Sequence, residues 1–280
     1  MHNILVLSGG GSHGCFEIGI VSRLIQDGKG SWDLITGVSA GSINACYLST
    51  IKKEDEKNHI DEFKKLWTDF KNADVYSNEF FLNGLSIFNN ELFRKKLETI
   101  FGDKKPIRPV MIGTTSLSTS ESKIFENDDM IKYGFKELIM CSTAIPILFP
   151  PNPFLNDVFV DGGLTSNILL YDAINYCLKK FPGEKVHVDI VICGRKIPKD
   201  NINKDNLNFV KLLDKLKGII TQQVEYSEIV KNIDFTSNIS ITVYEEKEEI
   251  TIGLLNFEQG KELWEQGFSF SNVNKYNIEI

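Results

Sequence analysis

Histidine is scarce in this chain, four in 280 residues, and three of the four stand where a catalytic base is not expected. His2 precedes the first apolar run. His59 closes the charged stretch 52–59, a solvated loop or helix face. His187 lies in Lys185-Val186-His187-Val188-Asp189-Ile190, a strand pattern that makes it a core or edge residue. Paired cysteine motifs are missing too. The five cysteines (15, 46, 141, 177 and 193) form no Cys-x-x-Cys, so neither a zinc site nor a disulfide framework is indicated. No carboxylate cluster has calcium-loop spacing, and the expectation is a protein that needs no metal and no cofactor. No apolar run approaches the length of a membrane-spanning helix. The first strand begins almost at once, so the expectation is no secretory or transit peptide and a cytoplasmic protein, peripheral at membranes if it meets them. Positive charge is in deficit. A net charge of −7 argues against nucleic acid as a partner and offers no general attraction to anionic membranes. Contact with a membrane or micelle surface would have to be local and apolar. Internal repeats and linkers are absent, so residues 1–280 read as one domain.

What is present is concentrated in a few short motifs. The first is Gly37-Val38-Ser39-Ala40-Gly41. The apolar pair Leu34-Ile35 leads in, and the helix-compatible run Ser42 to Leu48 leads out. Strand, sharp turn and helix is the geometry of a nucleophile elbow. Gly37 and Gly41 lack the Cβ atoms that would clash around such a turn. Ser39 would then stand at a helix N-terminus, whose dipole favours developing negative charge. The competing reading is an ordinary strand-to-helix turn with a capping serine.

A second motif decides between them. After the apolar run Asn3 to Ser8 comes Gly9-Gly10-Gly11-Ser12-His13-Gly14, then an amphipathic stretch from Cys15 to Gln26. Consecutive glycines let main chain approach a ligand and aim N–H groups at an anion. Gly9-x-Gly11-x-x-Gly14 also fits a dinucleotide-binding loop. That loop expects an acidic residue closing the next strand, and Asp33 instead precedes Leu34-Ile35. The preferred reading is an oxyanion hole made by the N–H groups of Gly10 and Gly11, helped by Ala40. Loss of one such donor lowers rates by roughly 10²–10³.

A serine hydroxyl also needs a proton acceptor. With no histidine suitably placed, a carboxylate is the better choice. Asp157 to Asp161 reads as a short strand ending in Asp161-Gly162-Gly163, where the glycines free the chain for the carboxylate to turn toward a neighbouring loop. The alternative is a plain Asp-Gly turn.

Together these residues resemble the patatin-like phospholipases. The resemblance rests on the glycine loop 9–14, the elbow 37–41, the stretch Cys141-Ser142-Thr143-Ala144-Ile145-Pro146-Ile147-Leu148-Phe149-Pro150-Pro151, and Asp161-Gly162-Gly163 followed by Asn167. It covers roughly residues 3–175, with a weaker echo from Gly253 to Gly267. It implies an α/β fold of three layers, α/β/α, around a mostly parallel sheet, with the catalytic motifs at 9–163 and a helical and strand cover at 204–280. It implies a serine lipid acyl hydrolase of phospholipase A or lysophospholipase type, with Ser39 and Asp161 as a catalytic dyad and a phospholipid or other acyl-ester lipid as substrate. Two alternatives remain: an acyltransferase using the same site, and a silent lipid-binding or regulatory protein. One departure concerns His13, where the family usually has Arg or Lys. His13 is expected to orient the loop or touch substrate, and would make the loop's charge depend on pH.

Strands are expected near 3–8, 33–38, 109–115, 122–126, 157–161, 186–193 and 239–244. Helices are expected at 60–70, 91–101 and 204–232. The aromatic stretch 76–88 lacks a clean period and suits core packing or a lid over an acyl chain. Glu245 to Glu249 reads as a solvated turn.

Overall fold

The computed structural model describes residues 1–77, 85–193, 238–247 and 252–278. The helix expected over 204–232 lies outside them. The core of the fold is a nine-stranded mixed sheet. Its middle is five parallel strands in the order β3 (Val110–Ser116), β2 (Leu34–Val38), β1 (His2–Leu7), β7 (Val186–Ile192) and β8 (Ile239–Glu246). Buried on both faces, these strands carry the near-continuous apolar runs seen in the sequence. Antiparallel strands finish the margins: β4 (Ser122–Phe125), β5 (Asn152–Phe154), β6 (Asp157–Asp161) and β9 (Val273–Ile278).

Alternation along β1 divides the interior in two. Leu5 and Leu7 face one apolar cluster, and Ile4 and Val6 face the other. The first cluster is covered by α1 (Gly14–Gln26), α2 (Ala40–Ser49), α3 (Ile60–Thr68), α5 (Glu91–Phe101), α7 (Phe135–Ser142) and α9 (Gly260–Ser269). Short α4 (Asn72–Val75) and α6 (Asn127–Tyr133) complete that side. The second cluster is covered by α8 (Leu170–Lys180). The fold class is therefore as expected: α/β, with helices on both faces of a mostly parallel sheet. Among the described residues no helix is long and apolar enough to cross a membrane.

One detail of the ladder positions the site. Ile112 and Gly113 of β3 pair with β2 on one side and β4 on the other, while Thr114 and Thr115 pair with β4 and with β6. A strand residue has two edges, so β2 and β6 must share one edge of β3. β6 takes over where β2 stops. The last residue of β6, Asp161, pairs with Thr114, next to Gly113 opposite Val38. The chain end of β2 and the chain end of β6 are thereby brought face to face.

Candidate active site

Ser39 follows β2 directly and has φ 52° and ψ −120°, a conformation that L-residues rarely adopt. Such strain persists only where surrounding bonds fix it. Here Ser42 donates to the Ser39 carbonyl from its N–H (2.9 Å) and its Oγ (2.5 Å). The Ser39 N–H donates to Ser142 Oγ (2.9 Å), which donates in turn to the Gly113 carbonyl (2.7 Å). The elbow is thus pinned to β3 through one buried hydroxyl of α7.

Ser39 Oγ donates to Asp161 Oδ2 at 2.6 Å, and both residues are only 2% exposed. The other carboxylate oxygen, Oδ1, accepts from the Gly163 N–H at 2.9 Å. Gly162 and Gly163 open the 3-10 turn after β6, so the free main chain expected there serves to hold the carboxylate. The Asp161 main chain is held too, its N–H by the Ala144 carbonyl (2.9 Å) and its carbonyl by Thr115 Oγ1 (3.0 Å).

The glycine loop leaves the end of β1, the strand beside β2. A Cβ built on Gly9 would lie 3.0 Å from Ser39 Cβ, which shows how closely the loop passes the nucleophile. Asn167 clamps Gly9, with Asn167 Nδ2 donating to the Gly9 carbonyl (3.2 Å) and the Gly9 N–H donating to the Asn167 carbonyl (3.3 Å). Gly11 has φ +58°, and a Cβ there would meet the Leu254 carbonyl at 2.3 Å, so no other residue fits. Among the described residues no protein acceptor takes the N–H of Gly10, Gly11 or Ala40. Gly14 begins α1, and Gly37 and Gly41 bracket the elbow on β2 and α2.

A narrow cavity reaches Ser39, Ala40 and Gly11. Its walls are apolar, chiefly Ile43, Trp67, Phe70, Phe93, Phe149 and Phe257, with Asn90 and Thr143 as polar points. Beneath it lies a buried network that the sequence did not announce. Asn44 Nδ2 donates to the Gly14 carbonyl (2.9 Å) and to Glu17 Oε2 (2.8 Å), while Asn44 Oδ1 accepts from Trp67 Nε1 (2.6 Å). This joins the helix after the glycine loop, the helix after the elbow and an aromatic wall. Burial pushes the Glu17 carboxyl well above its ordinary value, partly offset by Asn44 and the Ser8 main chain.

His13 is placed differently from a substrate contact. Its ring is buried, with Nδ1 3.1 Å from Glu246 Oε1 and Nε2 2.7 Å from the Ile252 carbonyl, and it does not line the cavity. Glu246, read from sequence as part of a solvated turn, is instead the buried last residue of β8. The same segment braces Ser12: its N–H donates to the Leu254 carbonyl (2.7 Å) and its Oγ to the Gly253 carbonyl (3.1 Å). The remaining histidines lie elsewhere. His187 is near the start of β7, at the opposite end of the sheet from Ser39. It meets Ser240 Oγ (2.9 Å) and Asp189 Oδ1 (3.2 Å) on a face where ladder bonds consume the main-chain N–H groups an oxyanion would need. His59 pairs with Glu62 and Asp55 at the surface, and His2 stacks on Phe181.

A strained serine at the end of one parallel strand, hydrogen-bonded to an aspartate and faced by a glycine loop, defines a class as well as a site. The patatin-like phospholipase family model matches residues 5–174, and the chain belongs to that family. Among curated relatives, a cGAMP-activated phospholipase of Escherichia coli is 31% identical over 195 residues, which cover 59% of this chain and 52% of that protein. A cGAMP-activated phospholipase of Vibrio cholerae is 28% identical over 217 residues, covering 65% and 61%. The probable lipid hydrolase 463L of Invertebrate iridescent virus 6 is 26% identical over 234 residues, covering 76% and 79%. The chain spans about half the length of the first of these and about three fifths of the second.

Proposed function

We propose that this protein is a serine lipid acyl hydrolase of phospholipase A or lysophospholipase type, acting through a Ser39–Asp161 dyad and a covalent acyl-enzyme. The observation that carries the reading is the 2.6 Å hydrogen bond from Ser39 Oγ to Asp161 at the head of an apolar cavity. The acyl chain lies among Ile43, Trp67, Phe70 and Phe93, which leaves its ester carbonyl beside Ser39. Asp161 Oδ2 takes the Ser39 proton as Oγ attacks the carbonyl carbon. The N–H groups of Gly10, Gly11 and Ala40 hold the oxyanion, at the N-terminal end of α2. The intermediate collapses, and the departing alcohol takes the proton from Asp161. Water then attacks the acyl-enzyme, returns a proton through Asp161 to Ser39, and the fatty acid leaves. A carboxylate is a weak base for a hydroxyl, so the preorganised amides carry much of the rate. The Gly163 N–H on Oδ1 keeps Oδ2 aimed at the serine.

The test is turnover of a panel of acyl esters, with and without cGAMP because two relatives carry that activator in their names. Fluorophosphonate labelling of the same proteins accompanies it. Wild type is expected to hydrolyse lipid esters and to be labelled, and Ser39→Ala to lose both while melting normally. Ser39→Ala with full activity overturns the reading. Asp161→Asn with full activity removes the aspartate from the mechanism.

A further inference from the structure

We propose that an apolar rim beside the cavity, carried by Leu85 and Ile147, is the face that docks on a zwitterionic lipid bilayer. The proposal rests on the reading of the Ser39 cavity as an acyl-chain site. Ile147 has φ +70° and is 48% exposed. A β-branched residue in that region is a true outlier, and glycine would hold the same turn without strain. The residue is therefore strained, and about half of its apolar surface is still left in water. An apolar group kept on those terms points to a partner outside the chain.

The rim is tied to the cavity wall by main-chain bonds. Ser86 and Ile147 form a short parallel bridge, in which the Ile87 N–H donates to the Ile147 carbonyl (2.8 Å) and the Phe88 N–H to the Leu148 carbonyl (2.9 Å). Leu85, 70% exposed, immediately precedes that bridge. Phe88 packs on Tyr76 and Phe149, with ring centroids 4.7 and 6.2 Å away, and Phe149 and Ile145 are cavity walls. An acyl chain leaving a bilayer under this rim would pass straight to the cavity.

Charge selects the kind of bilayer. Across 85–92 and 143–151 the single ionisable side chain is Glu91, and the whole chain carries −7. Nothing here attracts anionic headgroups, so docking rests on apolar insertion into an uncharged or zwitterionic surface.

The experiment is flotation with phosphatidylcholine vesicles, using Ser39→Ala protein so that binding is read without turnover. That protein is expected to float, and to float less as phosphatidylglycerol replaces phosphatidylcholine. Adding Leu85→Asp and Ile147→Asp is expected to lower the bound fraction about tenfold or more. In a Ser39-intact background, the same pair is expected to leave turnover of monomeric p-nitrophenyl butyrate within about twofold of wild type. Ile147→Gly provides a second route, since it relieves the positive-φ strain without adding a charge and should still weaken flotation. The proposal is overturned if the parent does not float, if it prefers anionic vesicles, or if the double variant floats unchanged. Equal loss of flotation and of monomeric-ester turnover also overturns it, because that marks a local folding defect. If wild type cleaves no ester, yet the rim substitutions alone abolish flotation, the hydrolase reading fails and the docking face stands.

Discussion

Ser142 Oγ lies between the Ser39 N–H and the Gly113 carbonyl, so one hydroxyl fixes the strained elbow to its neighbouring strand. Ser142→Ala would leave a buried N–H without a partner, a cost of about 1–3 kcal/mol. Denaturant melts should show that loss. Ester kinetics should show a fall in kcat with KM little changed, because the cavity walls are untouched. Glu17 makes a different prediction. Its folded-state value is raised, so the native protein keeps a proton that the unfolded chain releases from about pH 4.5 upward. The stability that this neutral side chain contributes is complete below that value and is lost as pH climbs toward the folded value. Glu17→Gln removes the slope. The variant should therefore gain on wild type, in unfolding free energy, as pH rises above about 4.5. Neither residue is legible in the sequence as a functional part. Ser142 sits inside a recognised stretch, but its role exists only once α7 lies against β3. Glu17 is the single acid of the amphipathic α1, and its partner Asn44 belongs to a different helix.

Elements differ in how far local pattern could reveal them. The glycine loop, the elbow and the Asp-Gly-Gly turn are each read from a few neighbouring residues, because main-chain demands at a tight turn are local. The brace on the glycine loop is not local. Its acceptors, Glu246 and the Ile252, Gly253 and Leu254 carbonyls, come from a segment more than two hundred residues away in sequence. Glu246 belongs to a charged run that reads as solvent-facing until β8 is seen to end on His13. The brace holds the loop that passes beside Ser39 and is proposed to supply the oxyanion donors, so His13→Ala should slow ester turnover about tenfold, less than outright loss of such a donor. Stopped assays of kcat and of fluorophosphonate labelling rate would check this. Both should fall together, with cavity-dependent chain-length preference unchanged.

At the scale of the molecule, the family match ends at residue 174 but the packing does not. β7 pairs along all of β1, and β8 pairs in turn with β7, so the centre of the sheet is completed by residues beyond the match. Leu255 and Phe257 add to the cavity from the same part of the chain. A fragment ending at 174 would expose an edge of β1 and the apolar face under β7, and it should show no cooperative melt by circular dichroism, whereas the full chain should. The shared edge of β3 carries a further consequence. Ser39 and Asp161 meet because β6 continues the edge where β2 stops, so their pairing is a matter of strand alignment. A slip of one residue would carry Asp161 about 3.3 Å along the strand and turn its side chain to the opposite face. If the proposed dyad carries turnover, such a slip would silence the protein, and it would also turn buried Phe159 away from its core cluster, so loss of activity and loss of stability should come together.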